Sequence, residues 1–175
     1  VRIYRSEGGT GTYLLVAEVS AASTQAGGTY VDTVTAANLG EACPSLYWDK
    51  PPATLVGLKM MSNGIMAGFI GRDLYFSEAY RPYAMPVGNS LTADYPIVAL
   101  APFDQSCAVL TTGKPMVVTG TDPASMTAQT LDFPQACVSK RSVVSVPGGA
   151  MYASADGLCF LSLIHISEPT RPERI

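Results

Sequence analysis

Few residues of this chain have the types and spacing that an active site needs. The only histidine is His165, and the four cysteines are Cys43, Cys107, Cys137 and Cys159. No two cysteines form a C-x-x-C pair, so zinc-binding and thioredoxin-like motifs are missing. The pattern favours free thiols buried in strands, because free cysteine is among the most buried residue types. One disulfide bond stays open as an alternative.

Other chemically active side chains do not form a recognisable constellation. Ser139 and Lys140 are adjacent, and adjacent residues on a strand point to opposite faces, which favours surface charge over a catalytic pair. Ser154 to Gly157 is similar to the aspartate box of sialidase-type propellers but lacks the following Thr-Trp, and is interpreted as an Asp-Gly hairpin turn. The carboxylates considered are Asp73, Glu78, Asp94, Asp104 and Asp122. None shows a paired catalytic spacing, and Asp favours turns. We therefore predict no catalytic, cofactor-binding or metal-binding residues, and no enzyme.

Aromatic and proline side chains offer the best candidate for a binding surface. The predicted protein-contact residues are Tyr80, Pro82, Tyr83 and Pro86, which lie close to Tyr75 and Phe76. Tyr and Pro on an exposed loop suit protein–protein contact. Packing of the tyrosines over a sheet edge remains an equal alternative.

Composition limits the class of protein. Hydrophobic residues make up 47% and charged residues 14% of the chain, which is a globular profile. The net charge is −3 and the closest basic pair is Lys140-Arg141, which argues against direct binding of nucleic acid. No apolar run approaches the roughly 18 to 20 residues of a membrane span.

The C-terminal segment differs from the rest. Leu161 to Arg171 reads LSLIHISEPTR, which resembles the translation of a sequencing adapter. We predict that the natural sequence ends near Phe160 and that 161–175 is a disordered read-through artefact. His165 belongs to this segment, so histidine-based catalysis and metal binding are not expected. The chain starts at Val1 and not at Met, and we interpret it as a fragment of metagenomic origin.

A repeat organises residues 55–160. Each copy has a short apolar strand, a longer strand, a turn with Gly and a third strand, and the turn glycines are Gly71, Gly113 and Gly157. A polar segment then leads to a fourth strand, for example at Met126 to Leu131. Four strands with a period of about 42 to 44 residues are typical of β-propeller blades, so we predict an all-β chain with two and a half blades. Three hairpins of an unrelated β-sandwich are the alternative.

The N-terminal part has another character. Residues 1–19 are predicted to form a hairpin, with one more edge strand at Tyr30 to Thr33. This pattern resembles the last three strands of a fibronectin type III-like sandwich, over residues 1–33; a generic β-meander is the alternative. Residues 34–54 are predicted to be a linker with a short helical turn at Ala36 to Leu39, since three prolines favour extended chain.

Several segments together resemble a group of tailed-phage and prophage virion proteins. The segments are WDKPP at 48–52, 63–86, TTGKPMVVTGTDPASM at 111–126, CVSKRS at 137–142 and YASADGL at 152–158. That group is similar to the propeller-bearing tail tubular or head–tail connector proteins of short-tailed phages. The resemblance implies a non-enzymatic structural protein of the virion, assembled in the bacterial host cytoplasm as a homo-oligomer with other virion proteins. A carbohydrate-binding or sugar-processing propeller, and a bacterial surface adhesin, are the alternatives.

Overall fold

A computed structural model describes residues 1–9, 11–20, 29–162 and 166–167 of the chain. It is an all-β protein, as the sequence predicts, with four antiparallel sheets. Its strands are β1 Arg2–Ser6, β2 Tyr13–Glu18, β3 Val56–Met60, β4 Met66–Ile70, β5 Asp73–Phe76, β6 Ser90–Thr92, β7 Ile97–Phe103, β8 Ser106–Thr111, β9 Met116–Thr119, β10 Thr127–Thr130, β11 Val144–Val146, β12 Gly149–Ser154, β13 Gly157–Ser162 and β14 Ile166–Ser167. Short 3-10 helical turns occupy Ala36–Asn38, Pro44–Tyr47, Pro123–Ser125 and Lys140–Ser142.

The chain divides into two compact units, Val1–Trp48 and Asp49–Ile175. The division falls inside the predicted linker 34–54, and the predicted helical turn at Ala36 forms within the first unit. The second unit contains three four-stranded sheets, which we call sheet I (β3 to β6), sheet II (β7 to β10) and sheet III (β11 to β14). In each sheet the strands follow one another in chain order, so every sheet is a simple antiparallel meander. The predicted four-strand pattern appears in sheets I and II, whereas sheet III, predicted to stop after its third strand, has a fourth strand, β14, within the predicted artefact.

Sheet II lies between the other two sheets. Its strand β8 is buried along its whole length, and alternate residues point to opposite faces. Cys107 and Val109 join a buried apolar cluster with sheet I, whereas Ala108 and Leu110 join a second cluster with sheet III. Burial on both faces explains why β8 is a continuous apolar run instead of an alternating one.

The first strands of the three sheets are neighbours, with β7 adjacent to both β3 and β11. Consecutive sheets are therefore stacked with corresponding strands side by side. Two polar contacts support the stacking of sheets I and II. The Asn63 side-chain amide donates to the Gly120 carbonyl at 3.1 Å, and the Ser62 hydroxyl donates to the Asp104 carbonyl.

The structure of the first unit differs in part from the sequence prediction. β1 and β2 pair as the predicted hairpin, but no strand forms at Tyr30 to Thr33, so that prediction is wrong. Residues 40–43 take the place beside β2: the Leu15 amide donates to the Glu41 carbonyl and the Cys43 amide to the Tyr13 carbonyl. The segment at Asp32 is tied to β1 by a side chain instead, through an ion pair of 2.6 Å with Arg5.

The predicted artefact 161–175 lies mostly outside the described residues. Leu161 and Ser162 complete β13, and Ile166–Ser167 form β14, so the prediction of disorder is wrong for these four residues. The reason is pairing and burial, because Leu161 lies opposite Ala150 of β12 and is only 2% exposed. Within the described residues, no helix has the length and apolar character needed to cross a membrane.

Candidate binding surfaces

The predicted contact residues lie on the connection between β5 and β6, residues 77–89, which we call the aromatic loop. Tyr80 and Tyr83 are 78% and 63% exposed, and Pro82 is also exposed. Pro86 is half-buried, so it belongs to the loop but only partly to its outer surface. Val87, which the sequence analysis missed, adds another exposed apolar side chain. The structure thus brings five such side chains to one connection and exposes four of them, all except Pro86.

The backbone of the aromatic loop is held by hydrogen bonds along its length. The Glu78 amide donates to the Ala84 carbonyl at 2.8 Å, and the Asn89 amide donates to the Pro86 carbonyl at 2.9 Å. Asp49 accepts twice, from the Met85 amide on its backbone carbonyl and from the Val87 amide on its side chain. The exposed rings are therefore attached to a backbone that hydrogen bonds hold in place. Such a backbone lowers the entropy cost of binding.

Tyr80 occupies an unusual backbone position. Its φ is +58°, a left-handed conformation that few non-glycine residues adopt. The Tyr80 amide donates to the Gly64 carbonyl at 2.8 Å, and the Tyr80 ring lies against Gly64, where a Cβ would come within 2.6 Å of it. Gly64 itself has φ +78°. The turn at Asn63-Gly64, between β3 and β4, thus supports the aromatic loop as well as reversing the chain.

The rest of the aromatic cluster is divided between surface and core. Phe76 is completely buried in the cluster between sheets I and II, and Tyr75 is half-buried. Phe76 is therefore a core residue and not part of a contact surface. The tyrosines at positions 80 and 83 have rings open to solvent.

A second surface, which the sequence analysis missed, is a cavity of about 250 Å³ lined by residues of the three strands β3, β4 and β7 and by two residues that precede β11. We call it the three-strand groove. Its lining residues are Val56, Gly57, Lys59, Phe69, Val98, Ala99, Leu100, Lys140 and Val143. They come from four separate segments of the chain, so no local sequence motif predicts the groove.

Two irregular strands shape this groove. The register of β3 against β4 shifts between Val56 and Lys59, and the register of β7 against β8 shifts between Ile97 and Ala99. Such bulges bend a strand and redirect its side chains. In β3 the bulge uses Gly57, with φ +66°, and a Cβ there would lie 2.2 Å from the Phe69 ring. Glycine is required because this ring covers the backbone.

The groove has positive charges on apolar walls. Lys59 and Lys140 have exposed side chains, and neither forms an ion pair with a described residue. By contrast, Lys114 pairs with Asp132 at 2.5 Å, and their hydrogen bond raises the pKa of Lys114 and lowers the pKa of Asp132. The groove therefore offers two ammonium groups to an external anion.

The chemical candidates from the sequence have structural roles. The Ser139 hydroxyl accepts a hydrogen bond from the Arg141 amide, which caps the helical turn at Lys140–Ser142. Asp122 caps the turn at Pro123–Ser125 in the same way, and the Asp156 amide donates to the Ser154 hydroxyl in the predicted Asp-Gly turn. Across the described residues, no group of three or more His, Cys, Asp or Glu side chains has a metal-binding arrangement.

The cysteines are free thiols, as the sequence favoured, and three of them are buried. Burial raises the pKa of the Cys107 thiol to about 12 and also raises the pKa of Cys137. A nucleophilic cysteine needs the opposite shift, because the thiolate is the reactive form. Tyr152 is buried beside Cys159, burial raises its pKa, and its hydroxyl donates to the Gln135 carbonyl at 2.9 Å. These groups are part of the core.

Comparison of the chain with protein-family models and with curated proteins found no match.

Proposed function

We propose that this chain is a structural assembly protein of a phage virion, and that sheets I to III are consecutive blades of a β-propeller. The observation that carries the proposal is the repeated stacking of equivalent sheets with apolar faces left open at both ends. The segments that resemble tailed-phage and prophage virion proteins support the virion role.

The open face of sheet I is apolar. Leu58 and Met60 are 51% and 49% exposed, and they lie on the face opposite to Ala67 and Phe69, which pack on sheet II. A sheet that stacked on this face would bury it in the way that sheet I covers sheet II. Repeat proteins bury such faces only by adding neighbours.

The open face of sheet III has the same character. Leu158 and Val144 are 56% and 55% exposed, and the strand register places them with Met151 and Phe160 on the face away from sheet II. Exposed apolar faces of this kind mark association surfaces. Further sheets, or another subunit, would complete the stack.

The experiment uses a bacterial strain that carries the gene in a prophage. Particles are induced, purified on a density gradient and analysed by mass spectrometry and immunogold labelling. We expect peptides of this chain in the particle fraction and label at the tail or the head–tail junction. Detection of the chain only as a soluble monomer, with no peptides of it in the particles, would contradict the virion role.

A point substitution tests the link between stacking and assembly. Leu158→Glu places a charge on the open face of sheet III and should remove the protein from particles. Gln129→Glu adds the same charge on the exposed strand β10 and should leave incorporation unchanged. Equal incorporation of both variants would contradict the role of the open face.

Carbohydrate binding is the second candidate, and the exposed rings of Tyr80 and Tyr83 favour it. A tyrosine ring combines a flat apolar face with a polar tip, which suits contact with sugar rings as well as with proteins. A glycan array distinguishes carbohydrate recognition from the assembly role. Selective glycan binding that is lost in Tyr80→Ala would support carbohydrate recognition, and its absence would leave the assembly role.

A further inference from the structure

We propose that the three-strand groove binds an extended acidic peptide segment of a partner protein, with apolar side chains in the groove and carboxylates on Lys59 and Lys140. The proposal is independent of the virion role, because it rests only on the groove itself. It assigns a ligand class to a surface on which no residue was predicted to bind anything.

Charge complementarity identifies the polar part of the ligand. Lys59 extends from β3, and Lys140 lies on the helical turn before β11, so the two ammonium groups come from distant segments of the chain around one cavity. Neither has an acidic partner among the described residues. Two carboxylates on one segment would satisfy both charges, and charge-assisted hydrogen bonds are the stronger kind.

The walls and the size of the groove identify the apolar part. Val56, Phe69, Val98, Leu100 and Val143 form the walls. The cavity of about 250 Å³ is smaller than the roughly 300 to 1,000 Å³ of sites that enclose small organic ligands. It has room for one or two aliphatic side chains. This favours a peptide that inserts side chains over a separate small molecule.

The strand edges favour an extended ligand backbone. β3, β7 and β11 each stand at the end of their sheet, and each has one edge that pairs with no other strand of the described residues. An edge strand presents free N–H and C=O groups, and extended peptides can add to it by main-chain hydrogen bonds. The edge strands β3 and β7 therefore contribute residues to a charged apolar groove, and β11 begins directly after the lining residue Val143.

The test uses fluorescence anisotropy with the full chain and three fluorescein-labelled peptides of equal length. One peptide alternates Leu and Glu, one alternates Leu and Lys, and one alternates Ser and Glu. We expect saturable binding of the Leu/Glu peptide alone. In the double variant Lys59→Gln/Lys140→Gln the affinity should fall by about tenfold or more, the size expected for losing charge-assisted contacts.

A matched control separates local from overall charge. Lys50→Gln/Arg72→Gln removes the same charge from exposed side chains outside the groove and should bind as tightly as the original chain. The reversed variant Lys59→Glu/Lys140→Glu should instead bind the Leu/Lys peptide. Circular dichroism checks that each variant is folded, which the exposure of both lysines predicts.

Several results would overturn the proposal. These are no saturable binding, equal losses in the groove and control variants, or equal affinity for the Ser/Glu and Leu/Glu peptides. Hydrogen–deuterium exchange adds a readout that needs no substitution. Bound Leu/Glu peptide should protect β3 and β7, and protection of the aromatic loop alone would place the ligand elsewhere.

Discussion

The aromatic loop and the three-strand groove are two surfaces built in different ways. The loop is one continuous segment, 77–89, whose backbone is fixed by hydrogen bonds and whose rings stand in solvent. The groove collects residues from Val56 to Val143 and is shaped by bulges in β3 and β7. A local surface can be recognised from residue types in a row. A surface assembled from distant strands cannot.

The two surfaces nevertheless share one device. In each, an aromatic ring lies directly on a glycine of positive φ: Tyr80 on Gly64 in the loop, and Phe69 on Gly57 beside the groove. A side chain at either glycine would displace the ring. Substitutions at these glycines therefore test each surface separately.

Gly57→Ala should give the largest loss. A Cβ at this position would lie 2.2 Å from the Phe69 ring, and the φ of +66° is strained for alanine. We expect the free energy of unfolding to fall by about 3 kcal/mol, from left-handed strain plus overpacking. Unfolding in urea measures this change in the free energy of unfolding. Gly71→Ala is the control, because it has φ +61° with open space around it and should cost only about 1 kcal/mol. Equal losses would show that the ring contact at Gly57 is unimportant.

Gly64→Ala should destabilise the chain by about 2 kcal/mol, because the new Cβ would come within 2.6 Å of the Tyr80 ring at φ +78°. In a Tyr80→Ala background the loss should shrink by about 1 kcal/mol, since the ring is gone and only backbone strain remains. The double-mutant cycle is measured by urea unfolding. Strict additivity would mean that the ring does not rest on the glycine.

The free energy of unfolding should fall at high pH, because the buried thiol of Cys107 keeps its proton more strongly than the same thiol in the unfolded chain. Burial raises the pKa of Cys107 from 9.0 to about 12, while the charge of the groove residue Lys59 lowers it to a smaller extent. Between these values the unfolded thiol loses its proton and the folded thiol keeps it, so unfolding becomes easier as pH rises. One such group contributes a slope of about 1.4 kcal/mol per pH unit.

The comparison with Cys107→Ala isolates this group. The variant starts from lower stability because of a small cavity, but its unfolding free energy should decline less steeply above pH 9.0. Unfolding in urea across this pH range gives both slopes. Parallel slopes would show that the Cys107 thiol does not titrate on unfolding.

Tyr83→Ser should have the smallest effect on folding. The side chain is 63% exposed, so the unfolding free energy should change by no more than about 0.5 kcal/mol. Under the proposed virion role, incorporation into particles should nevertheless fall, because that proposal assigns the exposed ring to protein contact. Val87→Ser is the matched variant for comparison with Tyr83→Ser, because Val87 lies on the same loop and is 74% exposed. A large drop in melting temperature would reassign Tyr83 to the core.

The prediction from sequence succeeded where the pattern was local and repeated. The strand–turn–strand pattern with Gly71, Gly113 and Gly157 predicted three similar sheets, because apolar strands and glycine turns are short-range signals. It failed at Tyr30 to Thr33, where an apolar-polar alternation is not enough to form a strand. There the place beside β2 was taken by residues 40–43, which lie farther along the chain.

The sequence by itself determined that the protein is all-β, that its strands come in sets of four, and that an aromatic loop follows β5. These features depend on neighbours in the chain, so residue type and order suffice to specify them. Only the tertiary structure decided that β8 is buried on both faces, that Leu58 and Leu158 lie on open ends of the stack, and that Lys59 and Lys140 share a groove. Stacking and strand bulges bring together residues far apart in the chain, and composition does not encode that proximity.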